Sequence, residues 1–266
     1  MNSPRRSAIL TQIRESGYLD VTTLADTFGV DQSTIRRDLS KLEASGLVRR
    51  NHGGVSAADP VVRQDTAFSV KEGQHRAEKA AIGAAMADRI GSGQTVLLDS
   101  GSTTLEVARH LANHQGLTII TNDLRIGVEI ADQASSHLVV LGGELLPQVY
   151  TLWGDNAIKQ LERLKVDVAV FGADAVNANG ITNTNGYEVA LKRAMHEIAT
   201  SSFLVADSSK FERQALFEVL SLQDMTAGIT DELFDPIRAA DYPIPIIRVA
   251  VPDGPSPSTS INGDQL

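Results

Sequence analysis

Polar groups that could bind a phosphate are concentrated in the hexapeptide DSGSTT at positions 99–104. Gly101 has no side chain, so the backbone there can approach a ligand closely. The hydroxyl groups beside it belong to Ser102, Thr103 and Thr104. The helical pattern that follows would add unpaired N–H donors and positive potential at its start. The hexapeptide therefore predicts a phosphate cradle, although Asp99 and Ser100 could equally do no more than cap the helix.

Polar residues or glycines also follow four other apolar runs of the chain. They are Thr121 and Asn122, Gly142 and Gly143, the segment Gly172-Ala173-Asp174, and the segment ADSSK that ends at Lys210. In an open parallel α/β sheet, ligands bind outside the carboxyl ends of the strands. Lys210 could add a compact positive charge there. Taken singly, Lys210 is better explained as a surface lysine, and Asp174 could simply stabilise a turn. Their recurrence at successive strand ends favours a binding site.

A second group of candidate residues could contact DNA. In DQSTIRRDLSKLEASG, residues 31–46, Ile35, Leu39 and Leu42 form an apolar stripe, which leaves a polar and basic face on the same predicted helix. Arginine can pair with guanine and glutamine with adenine, while Ser, Thr and Lys hold phosphates. The candidate DNA-contacting residues are Gln32, Ser33, Thr34, Arg36, Arg37, Lys41, Arg49, Arg50 and His52.

Three short helices and a hairpin are predicted to position these residues. Residues 4–16 place Ile9 and Ile13 one helical turn apart, the helix TTLADTF ends at Gly29, and LVRRNHGGVS predicts a hairpin wing. Two helices joined by a tight turn, the second with a basic outer face, form the helix-turn-helix that enters the major groove. We therefore predict a winged helix-turn-helix domain over residues 1–57. A module of the same shape that binds protein is the alternative.

Beyond residue 75, short apolar runs alternate with helical patterns. The runs are TVLLD, LTIIT, HLVVLGG, VDVAVFGAD, SSFLVAD and IPIIRVA. This alternation predicts an α/β domain with an open, mostly parallel sheet over residues 76–251. Residues 58–75 are predicted to form a connector, and EGQHRAEKAAIGAAMADRI a long amphipathic helix. Residues 252–266, rich in Pro, Ser and Gly, are predicted to be a disordered tail.

Composition excludes several classes of protein. The 266 residues include no cysteine and six histidines without H-x-x-x-H spacing, so we expect no metal site and no cofactor. Residues 1–57 carry a net charge of +2 within a chain of −9, which indicates different partners for the two parts. Neither a signal-peptide core nor an apolar run of the roughly 20 residues that span a bilayer is present, so we expect a cytoplasmic protein without membrane partners.

The segment VTTLADTFGVDQSTIRRDLSKLEASGLVRRNHGGV resembles the N-terminal domain of the DeoR family of bacterial transcriptional regulators. DSGSTT, TN, GG, GAD, NGYEVALKRAM and ADSSKF resemble the effector-binding domain of the same family, so the likeness extends over roughly residues 1–250. It implies a helix-turn-helix over 20–39 and a DNA-binding repressor of carbohydrate uptake or catabolism genes. It further implies a phosphorylated sugar as effector and a double-stranded DNA operator. The expected assembly is a homodimer or homotetramer.

The predicted effector domain is in turn similar to ribose-5-phosphate isomerase. Where the resemblance places that enzyme's second acid, lysine and catalytic glutamate, this chain has Phe171, Thr184 and Arg193, so the phosphate-handling parts are kept and the proton-transfer parts are lost. We therefore predict a sensor and no enzyme; an isomerase-like enzyme with an appended DNA-binding domain is the alternative. Glu188 and Lys192, retained from the regulator pattern, could contact the sugar hydroxyls or pair with each other.

Overall fold

The computed structural model describes residues 5–6, 8–9, 12–13, 18–44, 48–51, 54–57, 68–133, 136–146 and 149–252. The chain divides into two compact units, Met1–Asp65 and Thr66–Leu266. The predicted tail beyond residue 252 lies outside the described residues. None of the described helices is long and apolar enough to cross a membrane.

The N-terminal unit is a small winged helix-turn-helix. Its elements are β1 (Tyr18–Asp20), α1 (Val21–Phe28), α2 (Gln32–Ala44), β2 (Val48–Asn51) and β3 (Gly54–Ala57), after helical residues at 5, 6, 8, 9, 12 and 13. The strands form an antiparallel sheet in the order β1-β3-β2. Asp20 caps α1 by accepting from Thr23 N at 2.8 Å, and Gly29 ends it with a left-handed φ of 61°. The buried residues of this core include Ile9, Ile13, Leu24, Ile35, Leu39, Leu42, Val48 and Val55.

The C-terminal unit is an α/β domain. Its helices are α3 (Phe68–Gly73), α4 (Arg76–Ala87), α5 (Ser102–His110), α6 (Leu124–Ala131), α7 (Asp155–Leu161), α8 (Val189–Glu197) and α9 (Pro236–Ala240). Its strands are β4 (Thr95–Leu98), β5 (Thr118–Thr121), β6 (His137–Val140), β7 (Glu144–Leu146), β8 (Thr151–Trp153), β9 (Val166–Phe171), β10 (Ala175–Val176), β11 (Gly180–Asn183), β12 (Ala199–Val205), β13 (Phe217–Ser221), β14 (Ala227–Asp231) and β15 (Ile246–Val249).

Seven of these strands form one parallel sheet in the order β15-β14-β12-β9-β4-β5-β6. Successive side chains of β9 alternate between two apolar layers: Ala169 and Phe171 lie in one, Val168 and Val170 in the other. Burial on both faces explains why the strands are nearly continuous apolar runs. Strands β7 and β8 form a hairpin, and β10, β11 and β13 form a second, antiparallel sheet.

The predicted fold class is confirmed, with several differences in detail. Strand β14 was missed, because its sequence AGITD begins with two small residues and is only five residues long. The long helix predicted over EGQHRAEKAAIGAAMADRI is interrupted. Helix α3 ends at Gly73, and α4 begins at Arg76 after His75, which adopts a left-handed φ of 52°. Helix α3 also lies within the residues assigned to the connector, and its Phe68 is buried in the core of the C-terminal unit.

Candidate functional site

The carboxyl ends of β4, β5, β9 and β12 form the candidate binding cleft of the C-terminal unit. Because these strands are parallel and β12, β9, β4 and β5 are consecutive neighbours, the residues that follow them meet at one edge of the sheet. Gly172 after β9 lies against the loop after β4: a Cβ built on it would be 3.5 Å from Ser100 O and 3.9 Å from Thr104 Cγ2. This edge brings together most of the residues that the sequence singled out.

The loop before α5 has the backbone form expected of an anion cradle. Gly101 occupies the N-cap position with φ 153° and ψ 163°, and no side chain of the described residues caps the helix. The first hydrogen bond of the helix runs from Leu105 N to Gly101 O at 2.9 Å. The N–H groups of the three preceding residues therefore have no acceptor within the helix. Thr104 Oγ1 donates to Gly101 O at 2.9 Å. The backbone N–H groups of Ser102, Thr103 and Thr104 combine with the positive end of the helix dipole.

Ser100 is held by a buried carboxylate that the sequence reading missed. Its Oγ donates to Asp123 Oδ2 at 2.8 Å and lies 2.6 Å from Thr151 Oγ1. Asp123 also caps α6, accepting from Arg125 N at 2.7 Å, and burial raises the pKa of this carboxyl group. The signal that could have found Asp123 is its position one residue after Asn122, at the start of a helical pattern. Ser100 therefore connects the loop to β8 and α6.

Lys192 pairs with Asp99, a partner that the sequence did not suggest. Its Nζ lies 2.7 Å from Asp99 Oδ2 and donates to Gly172 O at 3.2 Å. Burial alone would lower the pKa of Lys192, but the negative charges of Asp99 and Glu188 raise it. Glu188 is buried one turn earlier and accepts from Asn183 Nδ2 at 3.4 Å. The pair therefore joins the strand ends of β4 and β9 to α8.

Asp174 forms an ion pair with a lysine of α3. Lys71 Nζ lies 2.8 Å from Asp174 Oδ1, and Thr184 N donates to Asp174 Oδ2 at 2.9 Å. Burial opposes ionisation of this carboxyl group, but the ammonium group of Lys71 prevails and lowers the pKa of Asp174 to about 2. Asp174 thus does more than stabilise its turn: it carries a negative charge at the end of β9.

Three lysines lie near one another beside the end of β12. Burial lowers the pKa of Lys79, Asp207 opposes this, and the ammonium groups of Lys210 and Lys71 lower it further. Lys79 donates to the carbonyl oxygens of Lys71 and Gln74. Within the described part of the chain, no hydrogen bond or ion pair of Lys210 Nζ is found. An anion in this region would reduce the repulsion among the three cations.

Several buried polar atoms around the cleft lack a hydrogen-bond partner among the described residues. They are Asp99 Oδ1, Asn122 Oδ1, Asn183 Oδ1 and Asp207 Oδ2. Because an unsatisfied buried acceptor is costly, such atoms mark places where donors from water or a ligand are needed. No described group of three or more His, Asp or Glu side chains could hold a metal ion.

Four other candidate residues make structural contacts. Thr121 Oγ1 donates to Leu98 O and accepts from Asp123 N, while Asn122 Nδ2 donates to Leu152 O. Gly142 exchanges hydrogen bonds with the amide of Gln160, and the backbone of β8 approaches Gly143 so closely that a Cβ there would be 2.3 Å from Trp153 O. At the open end of the same hairpin, where Trp153 is opposite Glu144, the indole packs edge-on to Tyr187 with ring centroids 4.6 Å apart.

The three positions that depart from the isomerase pattern also have structural contacts. Phe171 is fully buried in the core. Arg193 Nε donates to Val219 O at 2.9 Å and so ties α8 to β13. Thr184 binds Asp174 through its backbone N–H, which any residue except proline could supply. Their side chains offer no acid or base to move a proton between carbon atoms.

In the N-terminal unit, α2 presents its candidate residues on the face opposite to the core. Gln32, Ser33, Arg36, Arg37 and Lys41 are exposed, whereas Thr34 is half-buried. On this face, Arg36 Nη2 donates to Gln32 Oε1 and Gln32 Nε2 donates to Thr22 Oγ1, both at 3.2 Å. For Arg49 and Arg50 only the backbone, in β2, is described, and His52 lies outside the described residues.

Two family models match the chain. One, described as the DeoR-like helix-turn-helix domain, matches residues 5–61. The other, described as the DeoR C terminal sensor domain, matches residues 74–232.

Relatives with similar sequences are named as transcriptional repressors. The chain is 34% identical to the HTH-type transcriptional repressor CsqR of Escherichia coli (strain K12), over 87% of this chain and 88% of the relative. It is 32% identical to the putative aga operon transcriptional repressor of Escherichia coli O157:H7, over 86% of each chain. It is 30% identical to the glycerol-3-phosphate regulon repressor of Escherichia coli (strain K12), over 85% of this chain and 90% of the relative.

Among solved structures, ribose 5 phosphate isomerase A from Neisseria gonorrhoeae aligns with a TM-score of 0.38 and 15% identity, over 50% of this chain and 52% of that chain. Translation initiation factor eIF-2B from Pyrococcus horikoshii OT3 aligns with a TM-score of 0.39 and 18% identity, over 79% and 73%. Neither likeness is close enough to bear on function.

Proposed function

The chain belongs to the DeoR family of transcriptional regulators, and from this premise we propose that it represses genes of carbohydrate uptake or catabolism until a phosphorylated sugar binds its C-terminal unit. The two matched domains supply a DNA-binding part and a sensor part, as a regulator requires. The names of the relatives, which refer to glycerol 3-phosphate and to the aga operon, support small carbohydrate-derived effectors.

The observation that carries the proposal is the uncapped start of α5. Gly101 at the N-cap makes no side-chain cap for the first N–H groups of the helix, and Lys210 brings a cation to the same end of the sheet without a partner among the described residues. We propose that the phosphate binds there, with the hydroxyl groups of Ser102 and Thr103 as further donors, while the hydroxyl group of Thr104 holds the loop by donating to Gly101 O. The sugar hydroxyls would then extend toward Asp174, Glu188 and Asn183, whose oxygen atoms accept hydrogen bonds.

A thermal-shift screen of phosphorylated sugars against the full chain tests this function. A ligand present at one hundred times its dissociation constant should stabilise the C-terminal unit by about 2.7 kcal/mol. The unphosphorylated sugars are the matched controls, and they should shift the melting temperature little, because the phosphate supplies the charge-assisted contacts. Stabilisation by the free sugars alone would contradict a phosphate-dependent sensor.

The protein is proposed to sense the sugar phosphate without converting it. Phe171 and Arg193 stand where the isomerase resemblance calls for acids, and both have structural contacts. Incubation with ribose 5-phosphate should therefore give no ribulose 5-phosphate above the uncatalysed rate. Turnover by purified protein would favour the enzyme alternative.

We also propose that the regulator acts in the cytoplasm as a homodimer or homotetramer. One small helix-turn-helix contacts a single half-site, and two-fold symmetric proteins read two half-sites about one helical turn apart. Light scattering of the full chain measures the assembly. A monomer at the concentrations that saturate an operator would contradict it.

A further inference from the structure

Helix α3 is the first described element after the DNA-binding unit. The wing strand β3 ends at Ala57 and α3 begins at Phe68, so only residues 58–67 connect them along the chain. Within the C-terminal unit, α3 packs against α5, the helix whose start forms the proposed phosphate cradle. Whatever changes the attachment of α3 therefore acts directly on the chain that leads to the DNA-binding unit.

Three side chains of α3 attach it to the C-terminal unit. Lys71 pairs with Asp174 at 2.8 Å, and Glu72 bridges Arg109 at 3.0 Å and Arg125 at 3.1 Å. Phe68 is 2% exposed. The guanidinium group of Arg125 lies over its ring at 4.5 Å, and Tyr150 packs edge-on at 6.0 Å. At the C-terminal end of α3, the ammonium group of buried Lys79 donates hydrogen bonds to the carbonyl oxygens of Lys71 and Gln74.

Two of these attachments end on the proposed effector site itself. Asp174 is the acidic residue after β9, and Arg125 lies in the first turn of α6, whose cap Asp123 accepts from Ser100 of the cradle. Of the two, only the Lys71–Asp174 pair uses a group that a sugar phosphate would contact directly. With the phosphate at the start of α5, the sugar hydroxyls can donate to the carboxylate of Asp174 and so compete with the ammonium group of Lys71.

We propose that Lys71 is the residue through which the effector acts on α3: sugar hydroxyls that bind the carboxylate of Asp174 displace the ammonium group of Lys71, and the attachment of α3 to the C-terminal unit is weakened. The inference rests on the proposed function of this cleft. Two lysines have different roles in this proposal. Lys210 contributes affinity for the ligand, whereas Lys71 transmits ligand binding to α3. An effector can shift a conformational equilibrium only if it interacts differently with the two states.

Hydrogen–deuterium exchange of the full chain measures the attachment of α3. The probes are ribose 5-phosphate, fructose 6-phosphate, glycerol 3-phosphate and inorganic phosphate, and thermal shift identifies which of them bind. In the parent protein, a binding phosphate ester should accelerate exchange of the amides of residues 69–74 about tenfold, equivalent to about 1.4 kcal/mol of lost protection. Lys71→Met should exchange rapidly in this segment without a probe, still bind the ester, and show no further change on binding.

Two variants complete the design. Asp174→Asn removes the same pair from its other side and should reproduce the fast exchange if Lys71→Met fails to fold. Lys165→Met, at an exposed lysine of the same unit, is the control and should behave like the parent. A phosphate ester that binds the parent without changing exchange in α3 overturns the inference and leaves the proposed function standing. A full response in Lys71→Met overturns it as well. If no probe shifts the melting temperature, the proposed function fails and the inference falls with it.

Discussion

The outer face of α2 and the cleft of the C-terminal unit use charged side chains in opposite ways. Arg36, Arg37 and Lys41 of α2 are exposed to solvent, whereas in the cleft Lys192 and Asp99 are at most 4% exposed and lie 2.7 Å apart. A solvated charge contributes little to folding, but a buried charge must keep its partner. Replacing the exposed charges of α2 should therefore change the free energy of unfolding little. Those of the cleft should combine ligand binding with stability.

The largest effect on folding is expected from Lys192→Met. The substitution leaves Asp99 buried without its cation, and removing one member of a buried pair costs about 3–5 kcal/mol. Urea unfolding of the full chain measures the change, with Lys165→Met as the exposed control. Adding Asp99→Asn to Lys192→Met should restore part of the loss. If Lys192→Met lowered the free energy of unfolding no more than Lys165→Met does, the buried pair of the cleft would not differ from an exposed charge.

Acid should weaken the cleft through Asp174. Its folded pKa of about 2 lies below the ordinary value of 3.8, so the contribution of the ionised group is complete above pH 3.8 and is lost as the pH falls through 2. Linkage gives a total of about 2 kcal/mol, of which about 1 kcal/mol disappears between pH 5 and pH 3. The stability difference between parent and Asp174→Asn should shrink by that amount over this interval. A difference independent of pH would show that the Lys71–Asp174 pair contributes nothing.

Lys210→Ala sharpens the comparison, because Lys210 is a cleft cation without a partner among the described residues. Its removal should leave the free energy of unfolding within about 0.5 kcal/mol of the parent. The affinity for the phosphorylated effector should fall by a factor equivalent to about 1.5–3 kcal/mol, the worth of a hydrogen bond to a charged group. Calorimetric titration of the full chain with the ligand found by thermal shift measures this. Unchanged affinity would return Lys210 to the status of a surface lysine.

The smallest effect on folding is expected on α2. Arg36→Ala and Arg37→Ala should change stability by less than about 0.5 kcal/mol, while loss of a base contact weakens operator binding by about 1–3 kcal/mol and relaxes specificity. Because Arg36 also donates to Gln32 Oε1, its replacement additionally leaves that oxygen without this donor. Fluorescence anisotropy with operator DNA at several salt concentrations measures both variants. Parent-like binding by both would mean that another face of the unit contacts DNA.

The sequence allowed the strand ends to be predicted, because alternation of apolar runs and helices encodes a parallel sheet, and a parallel sheet gathers its carboxyl ends at one edge. It did not allow the pairing of charges to be predicted. Lys192 suggested a neighbour four residues away, but its partner Asp99 is 93 positions distant. Lys71 meets Asp174 across 103 positions and lies in a stretch assigned to the connector. Helical periodicity likewise gave no indication of the left-handed His75 that separates α3 from α4.

The packing of Trp153 on Tyr187 has a practical consequence. The chain contains a single tryptophan, and it lies at the end of β8, with Tyr187 directly preceding Glu188. Excited at the red edge of the absorption band, where tyrosine does not absorb, the protein emits from this one indole. Its emission wavelength and quenching by iodide thus report on the hairpin of the C-terminal unit alone, so this unit can be followed by fluorescence in a full-length protein without any attached label.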